Sequence, residues 1–208
     1  MKIQATKTVL TLLSTMTLAL FAGTTYAQGN ADAGESKAAV CGSCHGADGN
    51  STIPGNPKLA GQNASYLIKQ MEDIQSGARE VMLMSGILNN LDEQDFADIA
   101  AFYEAQEPSI GAADPELVEL GESIYRTGIS SLNVAACTAC HSPTGQGNAQ
   151  AGFPALSGQH VEYTAAQLKA FRSKARTNDG SSMPMQIVTE RLTDKEIDAL
   201  ASYISGLH

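Results

Sequence analysis

Apolar positions recur along this chain at helical spacing. Phe96, Ile99 and Phe102 lie three apart, and Ile197, Leu200 and Tyr203 repeat the spacing, so each set predicts one buried stripe on a helix. The starts of both helices are marked as well. In Leu91-Asp92-Glu93-Gln94-Asp95-Phe96, Asp92 reads as the N-cap and Leu91 is placed to pack on Phe96. Leu192-Thr193-Asp194-Lys195-Glu196-Ile197 repeats that arrangement with a full capping box. Further helices are expected over residues 65–75 and 163–175, and from Asp114-Pro115, as N-cap and first helical position, to about Arg126. The Asp32 segment is the shorter counterpart of the last of these. No stretch alternates convincingly as a half-buried strand would, and the predicted fold class is all-α.

The pattern is duplicated. Gly34-Glu35-Ser36 opens one copy and Gly121-Glu122-Ser123 the other. Cys41-Gly42-Ser43-Cys44-His45 and Cys137-Thr138-Ala139-Cys140-His141 follow, then a Gly/Asn turn at Gly49-Asn50 and Gly147-Asn148. Pro57-Lys58-Leu59-Ala60-Gly61-Gln62 matches Pro154-Ala155-Leu156-Ser157-Gly158-Gln159, and Tyr66 and Gln70 match Tyr163 and Gln167. Each copy then carries a Met-x-Met, Met82/Met84 and Met183/Met185. The main difference is a nine-residue insertion, since Gly34 to Cys41 spans 7 positions and Gly121 to Cys137 spans 16. Residues 107–113 break the helical pattern and read as a short linker. The division is therefore two tandem domains, 28–110 and 111–208, held as near neighbours. Gly34 and Gly121 fall in or near a helix, where Gly is costly. The repeat favours close contact with the last helix of the same domain, where a missing Cβ lets two backbones approach.

Residues 1–27 stand apart from this repeat. Lys2 and Lys7 precede the uncharged, apolar run from Val9 to Ala22, which is short for a membrane span. Thr25 and Ala27 then mark a cut at Ala27/Gln28, the pattern of a secretory signal peptide. No later segment is long and apolar enough to span a membrane, so the expectation is a soluble exported protein. Without Lys2 and Lys7, 11 basic side chains face 22 acidic ones, a formal charge of −11. That disfavours nucleic acid as a partner and suits basic proteins reached by electrostatic steering. The charge is uneven: −8 over residues 28–110 and −3 over 111–208.

The Cys-x-x-Cys-His pair carries the chemistry. All four cysteines are used in the two copies. The motif is that of c-type haem attachment: two thiols form thioethers to the haem vinyl groups, and the adjacent His reaches the iron. A zinc site would hold its cysteine pairs closer, and a thioredoxin-like pair needs a βαβ setting. A disulfide between residues three apart closes too small a loop to stabilise much. A covalent haem in each half would also supply apolar mass to a chain that is 5% aromatic and lacks Trp. His45 and His141 are the proximal ligands on this reading, with the carbonyls of Pro57 and Pro154 as acceptors for their other ring nitrogen.

For the sixth ligand, His160 and His208 read as solvated, and Met71 as core. Thioether suits haem iron, so one Met of each Met-x-Met is expected to face the metal while the other packs. Spacing alone leaves the choice within each pair open. Tyr66, Tyr163, Arg79, Arg172 and Arg176 are candidates to hold haem propionates, since Arg pairs well with carboxylates.

Over residues 28–208 the chain resembles the dihaem cytochrome c4 family. The resemblance lies in residues 40–50, 57–62, 151–154, 157–160, 176–180 and the terminal Ser202-Tyr203-Ile204-Ser205-Gly206-Leu207-His208. It implies two class I cytochrome c domains related by a pseudo-twofold axis, with propionate edges facing across the interface. It also implies His/Met ligation by His45 with Met84 and by His141 with Met185, and covalent haem at Cys41, Cys44, Cys137 and Cys140. The function implied is that of an electron carrier in the periplasm, not an enzyme. Its redox partners would be quinol-cytochrome c oxidoreductase and a terminal oxidase, often met beside the membrane, with no small-molecule substrate. The alternative is a dihaem oxidoreductase, such as a peroxidase or a sulfur-compound oxidase. That needs one iron with a displaceable ligand and acid/base groups nearby.

Overall fold

The computed structural model describes residues 28–208; the signal-peptide expectation concerns residues 1–27 and lies outside the described residues. The first unit comprises α1 (Ala31–Lys37), the single turn α2 (Gly42–His45), α3 (Ala64–Gln75) and α4 (Glu93–Glu104). The second comprises α5 (Val118–Thr127), the turn α6 (Thr138–His141), α7 (Val161–Arg172), α8 (Pro184–Thr189) and α9 (Asp194–Ser205). Short 3₁₀ turns, including Met82–Met84, fill some of the connections. Among the described residues there is no strand, only two isolated bridges, and no helix is long and apolar enough to cross a membrane. The all-α expectation holds.

The closing helices form as their first turns specify. Asp92 accepts from the Asp95 backbone N–H while the Asp95 carboxylate accepts from the Asp92 N–H, and Thr193 with Glu196 does the same at α9. Each closing helix then buries its stripe, with Phe96 and Ile99 in one core and Ile197 and Leu200 in the other. Within each unit the opening helix crosses the closing one, α1 on α4 and α5 on α9. A Cβ built on Gly34 would lie 2.0 Å from the Asp98 carbonyl oxygen, and one on Gly121 2.2 Å from that of Ala199. The close-contact reading of both glycines is therefore correct, and it seats the Cys-x-x-Cys-His turn against each core.

Several details depart from expectation. Asp114 accepts from the Glu116 N–H, but regular helix begins only at Val118, after a turn. Helix α7 stops at Arg172, followed by Lys174 at φ 61°. The Gly/Asn landmark is not structurally equivalent in the two halves. The carbonyl that receives the N–H groups of Leu59 and Ala60 is Gly49, whereas Leu156 and Ser157 bond to Gly145, four residues after His141, not to Gly147. The insertion before Cys137 folds back on itself through paired bonds between Ile129 and Val134, and buries Val134 in the second core.

Candidate functional site

Each Cys-x-x-Cys-His forms a single helical turn that ends in a buried His. The residue after it takes a left-handed backbone, Gly46 at φ 84° and Ser142 at φ 66°, so the chain turns sharply away. In the second unit the Tyr125 hydroxyl donates to the Ser142 carbonyl across 2.8 Å. The chain then returns beneath the ring. His45 Nδ1 lies 2.8 Å from the Pro57 carbonyl oxygen, and His141 Nδ1 lies 3.0 Å from that of Pro154. A carbonyl only accepts, so the proton sits on Nδ1 and the Nε2 lone pair is left free for a metal. Burial lowers the pKa of both rings, which keeps them neutral.

The four cysteines are not joined in disulfides. Burial raises the Cys41 thiol and pushes Cys137 up to about 11, so both remain thiols at neutral pH. Neither of these two is set up for thiolate chemistry.

The two methionines of each pair differ in burial. Met82 is 91% exposed, while Met84 is half-buried and packs on the core that contains Leu67 and Phe96. In the second unit Met183 is exposed and Met185 is half-buried. Met82 and Met84 share a 3₁₀ turn, and Met183 is the left-handed N-cap of α8, with Pro184 at N1. Asp179 steadies that helix by accepting from the Gln186 backbone and side chain.

The two units meet through reciprocal contacts. The Gln62 amide exchanges two hydrogen bonds with the Ala155 backbone, at 2.8 and 2.9 Å, and Gln159 does the same with Lys58, at 3.0 Å each. Arg79 donates to Tyr163, Gln167 and Gln70; Arg176 donates to Tyr66, Gln70, Gln167 and Asn178. Each surface therefore meets its own counterpart, the signature of a pseudo-twofold axis.

Among the described residues every hydrogen-bond acceptor of these two guanidinium groups is neutral. Burial raises the Tyr66 hydroxyl, and the nearby Arg176 and Arg79 charges outweigh that and hold it below its usual pKa. Asp73 lies near Arg79 but is bonded to Lys69 and Asn178, so the two guanidinium groups lack a carboxylate partner of their own and fit added carboxylates.

Three sequence expectations need correction. The outer methionine of each pair does not pack: Met82 and Met183 are exposed. Arg172 is not part of this cluster: it bonds the Leu192 carbonyl and Asp194 on the outer surface. His160 is not free in solvent: its Nε2 lies 2.8 Å from the Ser51 carbonyl oxygen in the other unit. The matching Asn63 donates to the Phe153 carbonyl at 2.8 Å. The Gly-Gln repeat was the available signal for this interface, and Met-Pro-Met was the signal for α8.

The cytochrome c family model matches residues 31–105 and 118–208. Cytochrome c4 of Azotobacter vinelandii is 51% identical over 211 residues, covering 97% of this chain and 99% of that protein. The crystal structure of reduced recombinant cytochrome c4 from Pseudomonas stutzeri superposes with a TM-score of 0.85 at 51% identity, over 86% of this chain and all of that one. A thiosulfate dehydrogenase electron acceptor of Stutzerimonas stutzeri is 34% identical, over 88% of this chain and 84% of that protein. Covalently bound haem c belongs to this family, and two such groups fit the two units and the two Cys-x-x-Cys motifs. The chain belongs to the dihaem cytochrome c4 family, with two cytochrome c domains in tandem.

Proposed function

We propose that the protein is an exported, periplasmic carrier of single electrons in a respiratory chain, running from quinol-cytochrome c oxidoreductase to a terminal oxidase. Its working units are residues 28–110 and 111–208. Cys41 and Cys44 would hold one haem c and Cys137 and Cys140 the other; His45 with Met84 and His141 with Met185 would bind the irons. When bound, haem supplies one-electron exchange between Fe(III) and Fe(II). The protein's share is positioning. Pro57 and Pro154 fix the imidazole tautomer, the half-buried methionines would complete the coordination, and Arg79 and Arg176 would receive the haem carboxylates at the junction between domains.

The observation that supports this reading is that both halves present the same set, a buried neutral His held by a Pro carbonyl and one half-buried Met. A His and a Met on each iron would leave neither open for a substrate. A second reading concerns the donor alone. Relatives named as thiosulfate dehydrogenase electron acceptors support service to a sulfur-oxidising enzyme.

Visible spectra of the purified protein test the proposal. Two low-spin c-type haems are expected, with the weak red band of Met–Fe(III) bonding and slow carbon monoxide uptake by the reduced form. A high-spin component, or rapid carbon monoxide binding, would favour the dihaem oxidoreductase instead.

A further inference from the structure

The repeat breaks at one buried position. Along α7 and its N-cap, His160, Thr164, Gln167 and Phe171 form one stripe at helical spacing, and Asn63, Leu67, Gln70 and Ile74 form the same stripe on α3. The flanking members face the junction between domains in both halves. His160 and Asn63 bond to carbonyls of the opposite domain, and Gln167 and Gln70 each accept from both Arg79 and Arg176. Between them the first domain has Leu67, an apolar side chain in the same core as Met84. The second has Thr164.

Thr164 is only 7% exposed, and its hydroxyl has no hydrogen-bond partner among the described residues. A helical Thr commonly satisfies its hydroxyl on the carbonyl four residues back. Here the His160 carbonyl takes the Thr164 backbone N–H alone. A buried hydroxyl without a partner costs about 1–3 kcal/mol, so an acceptor is missing from the polypeptide. Met185 is a residue of the chain and its sulfur is not within hydrogen-bond reach of Thr164, so the electron-rich acceptor that the haem reading adds to this domain is a haem carboxylate.

We propose that Thr164 donates a hydrogen bond to a carboxylate of the second haem, and that this raises the reduction potential of the second haem relative to the first. The inference rests on the haem ligation proposed above. Donation to the carboxylate offsets negative charge beside the iron and so favours Fe(II), the state with less positive charge. Leu67 has no proton to donate, so the first haem lacks this contact.

The test uses the full holoprotein with Thr164→Val, Thr164→Ala and Thr164→Ser, each checked for helical content and for two haems per chain. Spectroelectrochemical titration then reads both midpoint potentials. Losing a hydrogen bond of about 1 kcal/mol changes the ratio of reduced to oxidised haem about fivefold. That is a fall of about 40 mV at 59 mV per tenfold for one electron. The fall is expected at one haem only, in the Val and Ala variants, with Ser restoring the original value. A change in the haem carboxylate vibrations in the same two variants supports the donor role, and a change confined to the red band would overturn it. Unchanged potentials, or equal shifts at both haems, in variants that keep two haems would overturn it. Fewer than two haems in the unmutated protein would instead overturn the haem assignment.

Discussion

The two sulfurs of each Met-x-Met lie two residues apart but in different environments, and a ligand exchange between them is directly testable. Met84→Ala is expected to lose the weak red band and the low-spin state of one haem, whereas Met82→Ala keeps both, because Met82 is almost wholly exposed. The reverse result would assign the iron to Met82. Spacing alone left this choice open; burial separates the two residues, and burial is a property of the folded chain. The same limit explains the junction residues. Arg79 and Arg176 sit in unlike sequence surroundings, yet they share Gln70 and Gln167 as acceptors. His160 finds its acceptor 109 residues away, at Ser51. By contrast, the contacts of His45 and His141 with their Pro acceptors were legible, because motif and loop length fix them within 12 or 13 residues.

At the scale of helices, local signals did most of the work. The capping residues of α4 and α9 and the glycines of the opening helices all act as read from the chain. Helix α8 was missed because it is short and its start, Pro184, follows a Met in a left-handed conformation. Gly34→Ala and Gly121→Ala should each cost about 1–3 kcal/mol by forcing α1 from α4 or α5 from α9. Thermal unfolding followed by circular dichroism measures this; unchanged melting would mean the helices separate without penalty.

The crossing of α1 and α4 also carries a pH dependence. Lys37 and the Asn30 backbone N–H bond Asp98, with Gln94 beside them, and hold its carboxyl down to about 2. A carboxyl lowered in the folded state stabilises above its ordinary pKa, near 3.8, and that contribution is lost as pH falls towards 2. The melting temperature should therefore drop over this interval, and Asp98→Asn should flatten the drop. Parallel losses in both proteins would remove Asp98 as the cause.

At the scale of the molecule, the two domains differ most in charge, −8 over residues 28–110 against −3 over 111–208. A basic redox partner should meet the first domain preferentially, and its electron-transfer rate should fall as salt rises, because exposed charges are screened beyond about 10 Å at 0.1 M. Rates that stay flat from low to high ionic strength would leave the asymmetry without a docking role.

The reciprocal glutamines have a different consequence. A surface that meets its own counterpart is the geometry of a homodimer, yet here both copies lie in one chain. The linker joining them is itself held, with Ser109 bonded to Asn50 and Lys58, and Gly111 to Ser205. Tethering replaces an encounter between molecules by a fixed effective concentration, of millimolar order for a short connection. The pairing of the two redox centres is thereby independent of how dilute the protein becomes, whereas separate halves would part on dilution.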